Sequence, residues 1–336
     1  MNITRLILTN DSSSAGGLGV AQLADFRIGL ERQLVWGRLP SDNELKVFFG
    51  PRRKRQHRQH RLHWLDSSPR WRLERIDAVG LGLIEFCARY DAIDLWIDPH
   101  PNDQLQLVCL LHCLAPHPEI TSKLTLLQAD SRIADHPPEE LAKWRLPAVK
   151  IGNDHLELAG KAWRAFGAPT PQHWFDLLEK DLSVLPRLKQ AILELLEELP
   201  GRATGVGATE LRMLELISEG NVGPFDVFPG HQKRNARRVY GYWEVGALLD
   251  GLTHCPAPAV SGLDEGPFTM EMHDDRSRHQ RYNKSKLSLS LLGEAILAGR
   301  DDFSRHNPIR RWWGGTELTN DRLWRWDPAK RALLAP

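Results

Sequence analysis

The chain has 336 residues, a formal net charge of +1, 41% hydrophobic residues and 26% charged residues. This composition belongs to a globular protein and excludes a polyionic or disordered chain, so any attraction to nucleic acid or to an acidic surface has to come from local patches. The length implies two or three domains, and twelve tryptophans offer large anchors for their cores.

The N-terminal stretch MNITRLILTNDSSS has too short an apolar run for a signal peptide, and no run approaches membrane-spanning length. A cytoplasmic chain with no membrane partner is expected. Residues 3–8, ITRLIL, read as a buried first strand, and AGGLGVAQL as the start of a helix. ERQLVWGRL offers a second strand around Gln33 to Trp36. The next segment is basic: Arg52, Arg53, Lys54, Arg55, Arg58 and Arg61 are interleaved with His57, His60 and His63. It reads either as a grip on a phosphate backbone or as the solvated face of a helix anchored by Leu62, Trp64 and Leu65.

AVGLGLIEFCARYDAIDLWID reads as a helix and then a strand, Ile93 to Ile97, and NDQLQLVCLLHCLA as a helix with Asn102 or Asp103 at its start. SKLTLLQAD is a further strand. Alternation of strand and helix implies an α/β domain with a parallel sheet over residues 1–135. Cys87, Cys109, Cys113 and Cys255 form no paired framework, which fits a reducing compartment. Cys109 and Cys113 share a helix face near His112, either as small buried side chains or as part of a metal set. No metal is assigned, and the sequence names no cofactor.

Helical spacing of apolar residues continues through PPEELAKWRL, HLELAGKAWRAFGA, TPQHWFDLLEKD and PRLKQAILELLEELPG, giving a helical connector over 136–201 with starts near Thr170-Pro171 and Leu185-Pro186. Residues 202–336 hold three helical segments, then PFTMEMH and KLSLS as short strands around a polar loop, 274–286. That order is the one found in a winged helix-turn-helix. The tail carries Trp312, Trp313, Trp324 and Trp326, which are expected to pack back on the body.

Two loops carry the candidate chemistry. In an open parallel sheet, ligands bind outside the carboxyl ends of the strands, so the loop after the first strand and the loop DPHPNDQ should share one edge. Backbone amides of Ser13, Ser14, Ala15 and Gly16, with hydroxyls of Ser12 to Ser14, could meet an anionic group at a helix N-terminus, with Asn10 and Asp11 beside them. Asp98, His100 and Asp103 are the candidate acids and bases, and Gln104 a further ligand contact. The competing reading is a capped helix behind a glycine turn. No Gly-Lys-Ser/Thr follows, the spacing of Gly16, Gly17 and Gly19 is not that of a dinucleotide fingerprint, and no Gly-x-Ser-x-Gly elbow surrounds the serines.

LTNDSSSAGGL, DLWIDPHPNDQLQL, LSLLGEAILAG and IRRWWGGTEL with LWRWD together resemble a bacterial protein family whose N-terminal domain has no assigned reaction. In that family the first loop reads like Asn-Gly-Asp-Ser-Ala-Ala-Gly; Asn10, Asp11, Ser12 or Ser13, Ala15 and Gly16 follow a similar pattern without the glycine before the aspartate. Its second motif carries Trp, an acidic-His-Asp stretch and Asp-Gln-Leu, matched by Trp96, Asp98, His100, Asp103, Gln104 and Leu105, with Pro99 and Pro101 flanking the histidine. The resemblance directs attention to these two loops and implies the two-ended architecture.

The third helix of the winged region, VYGYWEVGALLDGL, contains no lysine or arginine. Cations lie beside it: Lys233, Arg234, Arg237 and Arg238, and in the expected wing loop Arg276, Arg278, Arg281, Lys284 and Lys286. Such flanks suit phosphate contact without base reading. Two functions are therefore open: a nucleic-acid-associated regulatory or binding protein whose N-terminal domain takes a phosphorylated small molecule, or an enzyme on a nucleotide-like or phosphorylated substrate with a structural winged helix.

Overall fold

The computed structural model describes residues 4–52, 63–229 and 235–336. The chain divides into two compact units. One comprises Met1–Leu34, Leu39–Ala165 and Leu177–Ala191; the other comprises Val35–Arg38, Phe166–Asp176 and Ile192–Pro336.

The first unit is α/β. Its elements run β1 (Arg5–Thr9), α1 (Ser12–Val20), β2 (Phe26–Gly29), α2 (Asp42–Phe49), α3 (Arg70–Glu74), α4 (Leu83–Ala88), β3 (Ala92–Ile97), α5 (Pro101–Leu114), α6 (Pro118–Thr121), β4 (Leu124–Gln128), α7 (Pro138–Leu141) and β5 (Ala148–Lys150). The sheet order is β2-β1-β3-β4-β5. The first four strands are parallel, and β5 is an antiparallel edge. Leu6, Ile7 and Leu8 are all fully buried, the continuous apolar run of a strand covered on both faces. Because β1 lies between β2 and β3, the chain changes its direction of travel across the sheet there. This β1/β3 junction is the switch point of the sheet, the place where open parallel sheets commonly take their ligands.

Two local expectations are corrected here. The second strand lies at Phe26–Gly29 and not around Gln33 to Trp36. The Leu34 amide donates to Asn102 Oδ1 (2.8 Å), and the Arg32 carbonyl accepts from Asn102 Nδ2 (3.0 Å) and Gln106 Nε2 (2.9 Å). Side chains of α5 thus take the backbone groups that a strand ladder would need. Helix α5 also begins earlier than expected: its N-cap is His100, through the backbone, with Pro101 in the first turn. Proline is pre-organised for that position and loses no hydrogen bond there.

The remaining elements are α8 (Asn153–Phe166), α9 (Gln172–Asp176), α10 (Leu188–Leu196), α11 (Ala208–Ser218), α12 (Tyr242–Thr253), β6 (Val260–Ser261), α13 (Met270–Asp274), α14 (Arg276–Lys284), β7 (Ser288–Leu289), α15 (Leu291–Leu297), α16 (Phe303–His306), β8 (Arg310–Trp313), β9 (Thr316–Thr319), β10 (Arg325–Asp327) and β11 (Ala332–Leu334). In the second unit, Met213, Leu214, Val245, Leu249, Met272, Tyr282 and Ile296 share one core. Strands β6 and β7 pair antiparallel, but the segment between them is not a polar loop, and PFTMEMH is not a strand. Met272 and Tyr282 are buried apolar anchors for α13 and α14. The Asp275 carboxylate caps α14 by accepting from the amides of Ser277 (2.9 Å) and Arg278 (3.1 Å). Local capping and two anchors are enough to make this basic segment helical.

The tail packs as expected at two of its tryptophans. Trp313 is buried and donates through Nε1 to the Leu195 carbonyl (2.7 Å), and Trp326 is buried against Phe175. A buried carboxylate organises the same unit. Glu198 accepts from the Thr209 hydroxyl (2.7 Å) and amide (3.2 Å) and from Arg237 Nε (2.7 Å). Removing it strips Arg237 of one of two carboxylate partners in a dry site, which is costly. Glu198→Ala is expected to lower unfolding free energy in urea by about 3 kcal/mol; a loss below about 1 kcal/mol would show that the buried pair does not hold this unit together.

Candidate functional site

The two polar loops singled out in the sequence meet at the β1/β3 switch point. They are tied by one hydrogen bond, from the Asp98 amide to Asn10 Oδ1 (2.8 Å), between side chains that are about 1% exposed. A third loop joins them after β4: the Ile133 amide donates to Asp98 Oδ1 (2.8 Å), and Arg132 lies 3.5 Å from Asp11. Gly29 lets β2 end against this cluster, since a Cβ there would stand 2.3 Å from the Asp11 backbone.

Three amides at the start of α1, those of Ser12, Ser14 and Ala15, are engaged within the protein. Asp11 is the N-cap and accepts from the Ser14 amide (2.7 Å), and the Ala15 amide bonds back to the Asp11 carbonyl (3.0 Å). Ser12 donates its amide to Glu31 (3.0 Å) and its hydroxyl to the same carboxylate. Glu31 sits at φ +42°, a backbone region disfavoured for side chains with a Cβ, and its own amide is held by the Asn10 carbonyl (2.8 Å). Two carboxylates therefore stand at the helix N-terminus where an anionic ligand was expected. Ser13 and Gly16 are exposed beside them.

Gln104, His100 and Asp103 lie on α5 and at its start, next to Asp98. Gln104 is buried and acts as a brace: Nε2 donates to the Asp98 carbonyl (2.7 Å), and Oε1 accepts from Gln128 (2.8 Å). His100 is half-buried, and its carbonyl accepts from the amides of Asp103 and Gln104, 3.0 Å each. Asp103, in the first turn of α5, is pushed well above the usual carboxylate range by burial, then by the charges of Asp98 and Asp11, against a smaller pull from Arg132. Burial lifts the Asp98 carboxyl to about 7; the Ile133 amide opposes this, and Asp11 adds to it. The buried polar groups here that lack hydrogen-bond partners among the described residues include Asn10 Nδ2, the Ser14 hydroxyl, the Thr9 hydroxyl and Gln128 Oε1. Sequence reading missed Glu31, Thr9 and the Arg132 loop. The Arg132 loop was within reach, because the strand SKLTLLQAD ends at the same edge; the Glu31 conformation leaves no mark in the sequence.

No protein-family model matches the chain, and no curated protein matches it.

Elsewhere several of the basic residues are paired within the protein. Arg237 is paired with Glu197 (2.8 Å) as well as Glu198, and Arg278 and Arg281 both grip Glu265 (2.9 and 2.6 Å). Arg238 is half-buried. Lys233 and Arg234 lie outside the described residues, as does the basic run 53–62; Arg52 pairs with Asp66. Cys109 is buried and Cys113 half-buried on α5, and among the described residues no three His, Cys, Asp or Glu side chains converge as a metal set.

The raised Asp98 carboxyl has a consequence for stability. The folded protein holds that proton more tightly than the unfolded chain, so Asp98 costs stability progressively as pH rises from near 3.8 to about 7. Asp98→Asn keeps an oxygen for the Ile133 amide and has no proton to lose. Its melting temperature relative to the parent is expected to rise across that window and to level off above it. A difference that does not change with pH would show Asp98 to be an ordinary surface-like carboxylate.

Proposed function

We propose that the β1/β3 switch point of the first unit binds a small hydroxylated ligand, such as a nucleoside or sugar, and exchanges a proton with it. The reading rests on one observation above the others: Asn10 Nδ2 and the Ser14 hydroxyl are buried without partners beside the raised Asp98 carboxyl. Buried polar groups in a folded protein normally find partners, and a ligand's oxygens would satisfy both donors. A carboxyl whose value lies near neutrality can both give and take a proton at working pH. In this reading Asp98 is the proton carrier, Asp103 its electrostatic neighbour, and Gln104 the positioning residue that fixes the Asp98 backbone.

The local charge selects against a phosphate. The carboxylates Asp11 and Glu31 already stand at the start of α1, and Arg132, 3.5 Å from Asp11, is itself shared with Asp135 (3.3 Å). The proposed ligand is therefore neutral or cationic, and a phosphorylated ligand would need a cation to accompany it. A role for the second unit in holding duplex DNA through Arg237 and Arg238 is a separate proposal that the internal pairing of Arg237 weakens.

A thermal-shift scan against nucleosides, sugars, sugar phosphates and inorganic phosphate tests the reading without assuming a reaction. A nucleoside or sugar is expected to raise the melting temperature, phosphate alone is not, and Asn10→Ala is expected to abolish the shift. A shift driven by inorganic phosphate, or one that Asn10→Ala leaves intact, would overturn it.

A further inference from the structure

A second cleft, of about 830 Å³, lies in the other unit between the 3-10 turn Pro224–Val227, α12 and α14. Phe225, Phe228, Tyr242, His273, His279 and Lys286 line it. Its rings form a continuous set. Phe225 and Tyr242 lie in nearly parallel planes, 6° apart with centroids 6.1 Å from each other; His279 stands 5.7 Å from Phe225 and 4.7 Å from His273. Trp243 extends the surface 5.5 Å from His273. These rings are not sealed into the core: Tyr242 is 43% and Trp243 37% exposed. Polarizable ring faces left in water mark a contact surface.

Both signs of charge stand beside the rings: Asp226 and Lys286 line the cleft, and Asp274 lies 3.6 Å from His273 Nδ1. Lys286 is exposed at the cleft, and Arg276 and Lys284 are exposed on α14; none of the three has an ion-pair partner among the described residues. The acidic group in the lining, Asp226, accepts from the Gly223 amide (3.0 Å). Aromatic faces with imidazoles and unpaired cations suit a planar, electron-rich ring that carries a phosphate. An aliphatic protein surface would use the rings and leave the cations without a role.

We propose that this cleft holds an unpaired nucleobase on the Tyr242 and Phe225 rings, with its phosphate on Lys286. Stacking of this kind accepts any base and adds to the electrostatic grip on a strand. The occupant is a free nucleotide or a base of a single strand, which share this chemistry. A duplex does not qualify, because its bases are already stacked. The proposal is independent of the site proposed in the other unit.

The test uses the full chain with three probes: adenosine monophosphate, a twelve-residue single-stranded oligothymidylate and a duplex of the same length, followed by tryptophan fluorescence across a salt series. Expected is binding of the single strand, or of the mononucleotide if the source is a free nucleotide, at least about tenfold tighter than the duplex. Tyr242→Ala should weaken binding about tenfold. Lys286→Gln should weaken it and, for the strand, flatten the salt slope by about one charge. Lys286 is exposed, so that variant remains informative if Tyr242→Ala does not fold. Failure of both single strand and nucleotide to bind, equal binding of duplex, or binding that Lys286→Gln leaves unchanged would overturn the proposal; in those cases the ring surface is a protein contact.

Discussion

The hydrogen bond from the Asp98 amide to Asn10 Oδ1 fixes the mouth of the first unit. It joins the ends of two neighbouring parallel strands at the point where the sheet reverses its direction of travel. The Asn10 side chain is held there through its oxygen, and its nitrogen is buried without a partner among the described residues. Asp98 is held too: its backbone by Asn10 and Gln104, and one carboxyl oxygen by the Ile133 amide. Three loops therefore converge on one small volume, and each loop leaves a titratable or donor group there.

Burial explains the chemistry of this volume better than charge pairing does. Asp98 is almost fully buried, so protonation is the cheapest way to hold its carboxyl in a dry site. The helix N-terminus, which would ordinarily attract an anion, is already answered by Asp11 and Glu31. The same order that made the loop look like a phosphate turn in the sequence brings carboxyl groups together around it.

Much of this was legible in the residues. Alternating strands and helices, the apolar runs of β1 and of Leu95–Ile97 in β3 and the polar ends that follow them place Asn10, Asp11 and Asp98 at one edge from the sequence alone. What the residues do not carry is long-range hydrogen bonding. Asn102 removes a strand at Gln33 to Trp36 by taking its backbone groups, and Gln104 looks like a ligand contact until Gln128 is found across from it. The basic stretch 276–284 reads as a loop because its apolar anchors, Met272 and Tyr282, are few, and only tertiary packing makes them sufficient. Likewise, Arg237 reads as a free cation until Glu198, 39 positions away, is seen beneath it.

The most direct measurement is an amide NMR map of the isotope-labelled protein during titration with whichever nucleoside or sugar binds. The account predicts that perturbed amides concentrate at residues 9–15, 98–104 and 130–133, and that the Asp98 carboxyl carbon titrates near neutrality and shifts its midpoint on binding. Perturbations confined to other loops, or an Asp98 midpoint in the ordinary range of a solvated carboxylate, would contradict it.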